Sequence, residues 1–361
     1  MQRLYNTYVS SKLIIALLLI LLTIGLLFSA QAPSPTNAPA EKITIIAKSL
    51  EVPWALAFLP DGNLLVTERK GSVKGIDIKT QDVKNIAQIQ VKQTGESGLH
   101  GIAVHPDFPQ KKYIYLYYTY SSNGSNTLNK VSRFDFSEEK LNNEKVIVDA
   151  IPGAIFHDGG RIKFGPDNFL YITTGDAQNP SLAQDKNSLA GKILRVGEDE
   201  KVEVYSYGHR NPQGITWDDK GNLWETEHGS SACDEINRID KNNNYGWPTV
   251  RCDQTQNGMV PPLLQSGSDT WAPAGAAIIN DTLYFGGLRG SALYSLDIKP
   301  DFRMIVIEKK IIEHFKGEFG RIRDVVLGPD NMLYITTSNR DGRGTPTSDD
   351  DKIIRVNPQE L

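Results

Sequence analysis

Six stretches of this sequence set chemically costly or conformationally special residues close to the start or end of a short apolar run. They are Glu96 in GESGLHGIAVHPDF, His157 in HDGGRIKFGPD, Arg210 and Asn211 in GHRNPQG, Gly229 and Ser230 in TEHGSSACDEI, Arg289 in GGLRGS, and Arg321 and Arg323 in GRIRDV. Guanidinium groups stay charged, so Arg210, Arg289, Arg321 and Arg323 would repel one another at a single site unless an anion sat among them. Carboxylates match the guanidinium fork bidentately, so such a gathering implies a polyanionic ligand. The other reading is that each arginine bridges strands to a local carboxylate such as Asp324. His100, His105, His209, His228 and His314 lack a metal-ligand spacing such as His-x-x-x-His and read mostly as satisfied loop or strand residues.

The elements that must bring these residues together come from an internal repeat. A short apolar strand, an Asp/Asn/Gly turn and a strand of aromatic and β-branched residues recur over 54–68, 99–119, 160–176, 212–227, 275–287 and 323–338. Starts are separated by roughly 45 to 63 residues, the period of a four-stranded propeller blade with insertions. A third alternating phrase follows at 130–136, 192–196, 235–240, 292–298 and 352–356. Period-2 alternation and Pro-Asp-Asn or Pro-Asp-Gly turns argue antiparallel strands, and the mature chain shows no long 3.6-residue apolar period. The expectation is an all-β fold, a six-bladed β-propeller of four-stranded antiparallel blades over 42–361. Ile43 to Ala47 is placed to give the last blade a strand and close the ring. The aromatic run Tyr113 to Tyr120 reads as strand packing. Loops at one end of a propeller converge on its axis, so residues distant in sequence can meet there. The ring alone names no function.

Composition bounds the rest. Arg3 and Lys12 precede an uncharged run from Leu13 to Phe28, with Ala30-Gln31-Ala32 after it. That pattern is a signal peptide over 1–32, or an N-terminal anchor if uncleaved, and it implies export. Residues 33–41, rich in Pro, Ala, Ser and Thr, read as a disordered linker. Net charge is −4 with both signs interspersed, which recommends no nucleic-acid partner. Cys233 and Cys252, the only cysteines, are expected to form a local disulfide in an oxidising compartment.

GESGLHGIAVHPDF, HDGGRIKFGPDNFLYITTGD, YGHRNPQGITWDDKGNLWETEHG with DEINRIDKNNNYGWP, and GRIRDVVLGPDNMLYITT resemble the soluble pyrroloquinoline quinone (PQQ) dependent sugar dehydrogenases, of aldose and glucose types. The resemblance spans nearly all of 42–358. It implies oxidation of aldose sugars at C1 to lactones, with electrons passed on to a quinone or small redox protein. It implies that His157 is the general base; an imidazole, with an ordinary pKa of about 6.5, can accept a proton near neutral pH. Arg210 and Asn211 match residues that contact the quinone, and Arg289, Arg321 and Arg323 match anchors for its carboxylates. Glu96 matches a glutamine near the active site. The carbonyls of Gly229 and Ser230 match ligands of a catalytic calcium, and the Glu235 side chain with the Tyr245 carbonyl match those of a second, structural one.

Several positions depart from the family. Ser230 replaces a usual proline, and Arg289 a lysine. Phe156 stands where the glucose type has an acid beside the histidine, so that partner is missing. Cys233 and Cys252 are additional, and a disulfide between them would brace the metal loop. Two other functions fit a propeller. A calcium-dependent lactonase or other hydrolase would need side-chain carboxylates at the axis, a constellation not visible in the sequence. A glycan- or protein-binding propeller would be expected to lose His157, Arg210 and Arg321.

Overall fold

The computed structural model describes residues 42–298 and 311–361, so the expected leader (1–32) and linker (33–41) lie outside the described residues. β1 (Ile43–Ala47) comes first. Blade 1 is β2 (Pro53–Phe58), β3 (Leu64–Glu68), β4 (Ser72–Ile76) and β5 (Val83–Gln88); blade 2 is β6 (Leu99–Val104), β7 (Tyr113–Tyr120), β8 (Leu128–Ser137) and β9 (Lys140–Pro152). Blade 3 is β10 (Ile162–Phe164), β11 (Leu170–Thr174), β12 (Lys192–Val196) and β13 (Val202–Tyr207); blade 4 is β14 (Pro212–Trp217), β15 (Leu223–Glu227), β16 (Glu235–Ile239) and β17 (Leu264–Gln265). Blade 5 is β18 (Pro273–Ile279), β19 (Thr282–Gly287), β20 (Ala292–Asp297) and β21 (Ile312–His314). Blade 6 is β22 (Ile322–Leu327), β23 (Leu333–Thr337) and β24 (Ile353–Val356), completed by β1. The protein is the expected all-β six-bladed propeller, and β1 closes it by antiparallel pairing with β24, Ile43 opposite Val356 and Ala47 opposite Ile353.

Local chemistry explains the repeat. The aspartates of the recurring turn accept backbone N–H groups two residues on: Asp61 from Asn63, Asp167 from Phe169, Asp218 from Lys220 and Asp330 from Met332. These bonds pre-form the hairpin turn between the first two strands of a blade. Alternation then sends successive residues into opposite seams. Leu65 packs between blades 1 and 2, while Leu64 and Val66 pack between blades 6 and 1. One buried apolar cluster fills each of the six seams, so every blade is held on both faces. Tyr113 to Tyr120 behaves as expected, as β7, with Tyr115, Tyr117 and Tyr118 buried in the seams.

The inner strands carry the feature that matters for function. In β2, β6, β14, β18 and β22 the pairing register slips within the first residues, a bulge at the same end of five blades. A bulge leaves a residue out of the ladder and re-aims its side chain. The residues so released include Trp54, His100, Gln213 and Arg323, and they meet at the axis. His100 stacks on Trp54 at 4.7 Å, the Arg161 guanidinium lies 4.4 Å from the Trp54 ring, and Arg323 Nη1 donates to Gln213 Oε1 at 3.1 Å. Arg161 pairs with Asp324 at 3.0 Å and donates from Nε to the Gln213 carbonyl at 3.0 Å. Gly275 is required here, because a Cβ on it would come within 1.9 Å of Asp324 Oδ1. This layer is the floor on which the loops stand.

Two outcomes follow from this architecture. Removing residues 42–48 strips the last blade of its outer strand and leaves β24 as an open edge. Thermal unfolding of that truncation should begin several degrees lower and end in aggregation; an unchanged melting curve would show that the ring does not depend on β1. Second, burial pushes the His100 imidazole down to about 3, against a smaller opposing effect from its bond to the Glu96 carbonyl. The native state therefore refuses a proton that the unfolded chain takes up near pH 6.5. Stability is complete above that value and falls by up to about 1.4 kcal/mol per pH unit as pH drops towards 3. His100→Phe, which keeps the stacking, should flatten this acid limb in denaturant titrations at several pH values. An identical slope would mean that other groups set it.

Candidate active site

At the end of the axis where the inner strands begin, the loops enclose a cavity of about 520 Å³. Glu96, His157, Arg210, Asn211, Gly229, Ser230, Arg289 and Arg321 line it, so eight of the residues singled out in the sequence meet around one hollow. Arg323 lies just beneath, in the floor. Glu235 and Tyr245 do not line the cavity; Glu235 stands behind the Gly229–Ser230 loop, and Tyr245 is packed in the seam between blades 3 and 4. His228, Asp234 and Arg343 also line it, and none of them stood out in the sequence.

His157 sits at φ +66°, a left-handed backbone conformation uncommon for any residue but glycine. Its carbonyl presses against Gly175, where a Cβ would approach within 1.8 Å. Nδ1 lies 2.8 Å from Asp176 Oδ1, and Nε2 lies 3.0 Å from Arg210 Nη2. A guanidinium can only donate, so Nε2 is the acceptor and the neutral ring carries its proton on Nδ1, facing Asp176. The missing acidic partner is therefore supplied after all. It comes from position 176, nineteen residues on, rather than from position 156. The Asp176 carboxylate also accepts Trp247 Nε1–H at 2.8 Å and the Gln178 amide at 2.9 Å, and is buried. The loop after Asp176 is pinned by Lys192, whose ammonium donates to the Leu182, Ala183 and Ala190 carbonyls at 2.6–3.1 Å. Burial pulls that ammonium down to about 8.

The GHRNPQG turn is seated by Glu227, on β15. Its carboxylate accepts the main-chain N–H groups of Arg210 and Asn211 and lies 2.9 Å from His209 Nδ1. Asn211 Oδ1 then accepts from the Gly159 amide at 3.1 Å, which ties the turn to the His157 loop. Arg210 Nη1 donates to the His228 carbonyl at 3.1 Å, leaving Nε buried without a partner. Burial pushes the His228 imidazole down to about 4, and its Nε2 likewise has no partner.

The cationic set divides. Arg321 donates twice to Asp341 Oδ2, at 2.9 and 2.8 Å, and once to the Leu288 carbonyl. Asp324, considered in the sequence as a local partner for the arginines, instead holds Arg161. Arg323 is 3.8 Å from Asp341, its Nε is buried without a partner, and burial draws its pKa down to about 10. Arg289 is exposed and has no ion-pair partner among the described residues. Glu96 pairs with Arg343 across the mouth, with the Arg343 guanidinium 5.2 Å from the Phe156 ring. Burial opposes ionisation of Glu96, but Arg343, with His228, Arg323 and His157, outweighs it and holds the carboxyl below its ordinary value.

Two places suit cations. The Gly229 and Ser230 carbonyls accept no hydrogen bond among the described residues and border the cavity. Their loop is tied down by Asp234, which accepts the Gly229 amide at 2.9 Å and the Trp271 and Ala272 amides at 2.7 and 2.8 Å. The expected disulfide joins Cys233 to Cys252, Cα to Cα 5.0 Å, and borders the same loop. Behind it, Glu225, Glu227 and Glu235 stand on adjacent strands with Asn237 and His209. Glu225 Oε1 and Asn237 Oδ1 are buried without donors. Burial, then Glu227, raises both the Glu225 and Glu235 carboxyls, the latter to about 8. A cation bound there would relieve that repulsion.

The family described as glucose/sorbosone dehydrogenase matches residues 50–354, which contain every residue of this site. The chain belongs to that family. It is accordingly an oxidoreductase. An aldose sugar dehydrogenase of Streptomyces coelicolor, solved in a PQQ-bound form, is 35% identical, with a TM-score of 0.81 over 88% of this chain and 98% of that one. A Thermus thermophilus oxidoreductase, assigned as a glucose dehydrogenase, is 39% identical with the same TM-score of 0.81, over 87% of this chain and 99% of that one. The aldose sugar dehydrogenase of Escherichia coli is 29% identical over 91% of this chain and 94% of its own length.

The Asp176 contact makes a spectroscopic test possible. Nitrogen-15 spectra of His157 should show the Nδ1-protonated neutral tautomer. Asp176→Asn, whose amide can both donate and accept, should introduce the Nε2-protonated form. A spectrum unchanged by the substitution would mean that Asp176 does not set the tautomer.

Proposed function

We propose that this protein oxidises aldose sugars at C1 to lactones, with PQQ as cofactor, calcium as metal and His157 as general base. The observation that carries the reading is a cavity whose wall combines an oriented imidazole, two free main-chain oxygens and guanidinium N–H groups without partners. The orphaned Nε groups of Arg210 and Arg323 call for an anion, which the carboxylates of PQQ supply, and Arg289 has a charge free to join them. The PQQ-bound relative supports the same choice. When bound, PQQ supplies the two-electron acceptor and calcium a Lewis acid.

The chain's own residues do the rest. His157 Nε2, the acceptor nitrogen, takes the proton of the anomeric hydroxyl. Asp176 receives the Nδ1–H bond throughout and stabilises the imidazolium that forms, and Trp247 and Gln178 keep its carboxylate from turning. Arg210 holds positive charge beside the reacting centre, and the Glu227 bonds to its amide and that of Asn211 fix where that charge stands. The Gly229 and Ser230 carbonyls hold the catalytic calcium. Glu235, opposite Glu227 on the neighbouring strand, and the Tyr245 carbonyl would hold the second. The aldose enters past Glu96 and Phe156, and electrons leave to a quinone or small redox protein. Export fits the Cys233–Cys252 disulfide, which an oxidising compartment maintains.

The test is dye reduction by cofactor-free protein with an aldose, with PQQ and calcium added singly and together. Turnover should require both. His157→Ala should retain PQQ binding and lose at least ~10²-fold in kcat, the usual cost of removing a general base. Turnover that ignores PQQ ends the proposal, and an unchanged kcat in His157→Ala moves the base elsewhere.

A further inference from the structure

On the far side of the Arg161–Asp324 pair from His157, the axis holds another hollow of about 390 Å³. The last residues of β2, β6, β10 and β22, which are Phe58, Val104, Phe164 and Leu327, ring its outer end. All four keep contact with solvent, Leu327 at 38% exposure. Three of the lining residues are charged, Arg161, Lys163 and Asp324, and every other one is apolar. Asp324 has its bonds already. Its Oδ2 accepts from Arg161 Nη1 at 3.0 Å and from the Leu56 amide at 2.8 Å, and Oδ1 accepts from the Val325 amide at 3.0 Å. Lys163 forms no ion pair among the described residues, and its hydrogen bond to Thr216 Oγ1 is 3.3 Å long. A lysine ammonium has three donors, so two are left unused. Arg161 is 6% exposed, and its Nη2 is buried with no acceptor. The chamber thus holds one cation more than its single carboxylate balances.

We propose that this hollow binds a carboxylic acid with an apolar body, of the size of a medium-chain fatty acid, with its carboxylate on Lys163. The volume falls in the range of small-molecule sites, roughly 300–1,000 Å³. A carboxylate gives the Lys163 ammonium the charged partner that a group taken out of water needs. The body of the acid covers the aliphatic and aromatic walls, whose removal from water favours binding. An inorganic anion would leave those walls wet, and a neutral hydrocarbon would cover the ammonium without pairing it. Burial pulls that ammonium down to about 8, against the attraction of Asp324 and together with the repulsion of Arg161. It therefore remains mostly charged at neutral pH. The layer of Trp54, Arg161 and Gln213 lies between this hollow and His157, so the acid takes the place of neither the sugar nor PQQ.

The experiment is calorimetric titration of the full chain with decanoate and with decanol, its neutral counterpart. PQQ and calcium are present in excess, so that the cationic cavity around His157 does not take the probe. Decanoate should bind one to one and more tightly than decanol. Lys163→Met, which keeps the length of the side chain and removes its charge, should weaken decanoate on the order of ten-fold, the usual weight of a hydrogen bond to a charged group. Its affinity for decanol should not fall. A second measurement needs no variant. Arg161 and Asp324 are the other charged groups that line the hollow, and Lys163 is the one that loses its charge as pH rises through about 8. Decanoate binding to the wild type should therefore be strong at neutral pH and weaken above about 8, while decanol binding stays level. No binding of decanoate, decanol bound as tightly as decanoate, or equal decanoate affinities in wild type and Lys163→Met overturn the proposal. If Lys163→Met does not fold, the pH series decides, and a decanoate affinity that stays level through pH 8 overturns it.

Discussion

The Arg161–Asp324 ion pair on the propeller axis is the constraint on which the rest of the structure leans. Inner strands of a six-bladed ring leave a central channel, and here it is blocked by side chains from five of the blades. Both ions are buried. Asp324 accepts in addition the Leu56 amide, from blade 1, so one carboxylate joins blades 1, 3 and 6. Removing a single partner of such a pair strands a buried charge, at a typical cost of about 3–5 kcal/mol. What the pair secures is separation. Above it lies a polar cavity lined by arginines and His157; below it lies a hollow of about 390 Å³ walled largely by Leu56, Phe58, Val104, Phe164 and Val326.

On that floor the reactive groups are fixed by carboxylates placed one layer back. Asp176 orients His157, Glu227 seats the Arg210–Asn211 turn, Asp234 ties the Gly229 loop to blade 5, and Asp341 clamps Arg321. Each accepts at least two hydrogen bonds, so none can rotate without losing one. The unsatisfied Nε groups of Arg210 and Arg323 are therefore not loosely held surface charges. They are buried donors with fixed directions, which is why they argue for a guest of matching charge.

Much of the ring was legible because its signals are local. The Asp/Asn/Gly turns, the alternation and the apolar strands recur from copy to copy, and Ile43–Ala47 had the composition of a strand with no hairpin partner of its own. The outermost strands left no pattern: β9 spans thirteen residues and β17 two, and their exposed faces are free to vary. The gathering of His157, Arg210, Arg289 and Arg321 could be read from motifs set just before or after strands. Asp176 ends the GPDNFLYITTGD phrase, but nineteen residues separate it from His157, and only the return of the chain through β10 and β11 brings the two together. Arg343, Asp341 and His228 gave no such hint. Each sits in a loop whose path is set by tertiary packing. Asp324 was visible as a carboxylate for an arginine, but its partner Arg161 comes from blade 3, and only the closed ring brings the two together.

The seam at blade 6 bears on how the molecule comes into being. β1 and β24 are separated by some three hundred residues, so the first strand among the described residues waits during synthesis for the last. Until then five blades can stack in order, each on its predecessor, while the circle stays open and Ile43–Ala47 is an unpaired apolar ribbon. An incomplete nascent chain is thus marked by its own beginning, as a site for self-association or for a chaperone. Only a polypeptide made to its final blade can hide it.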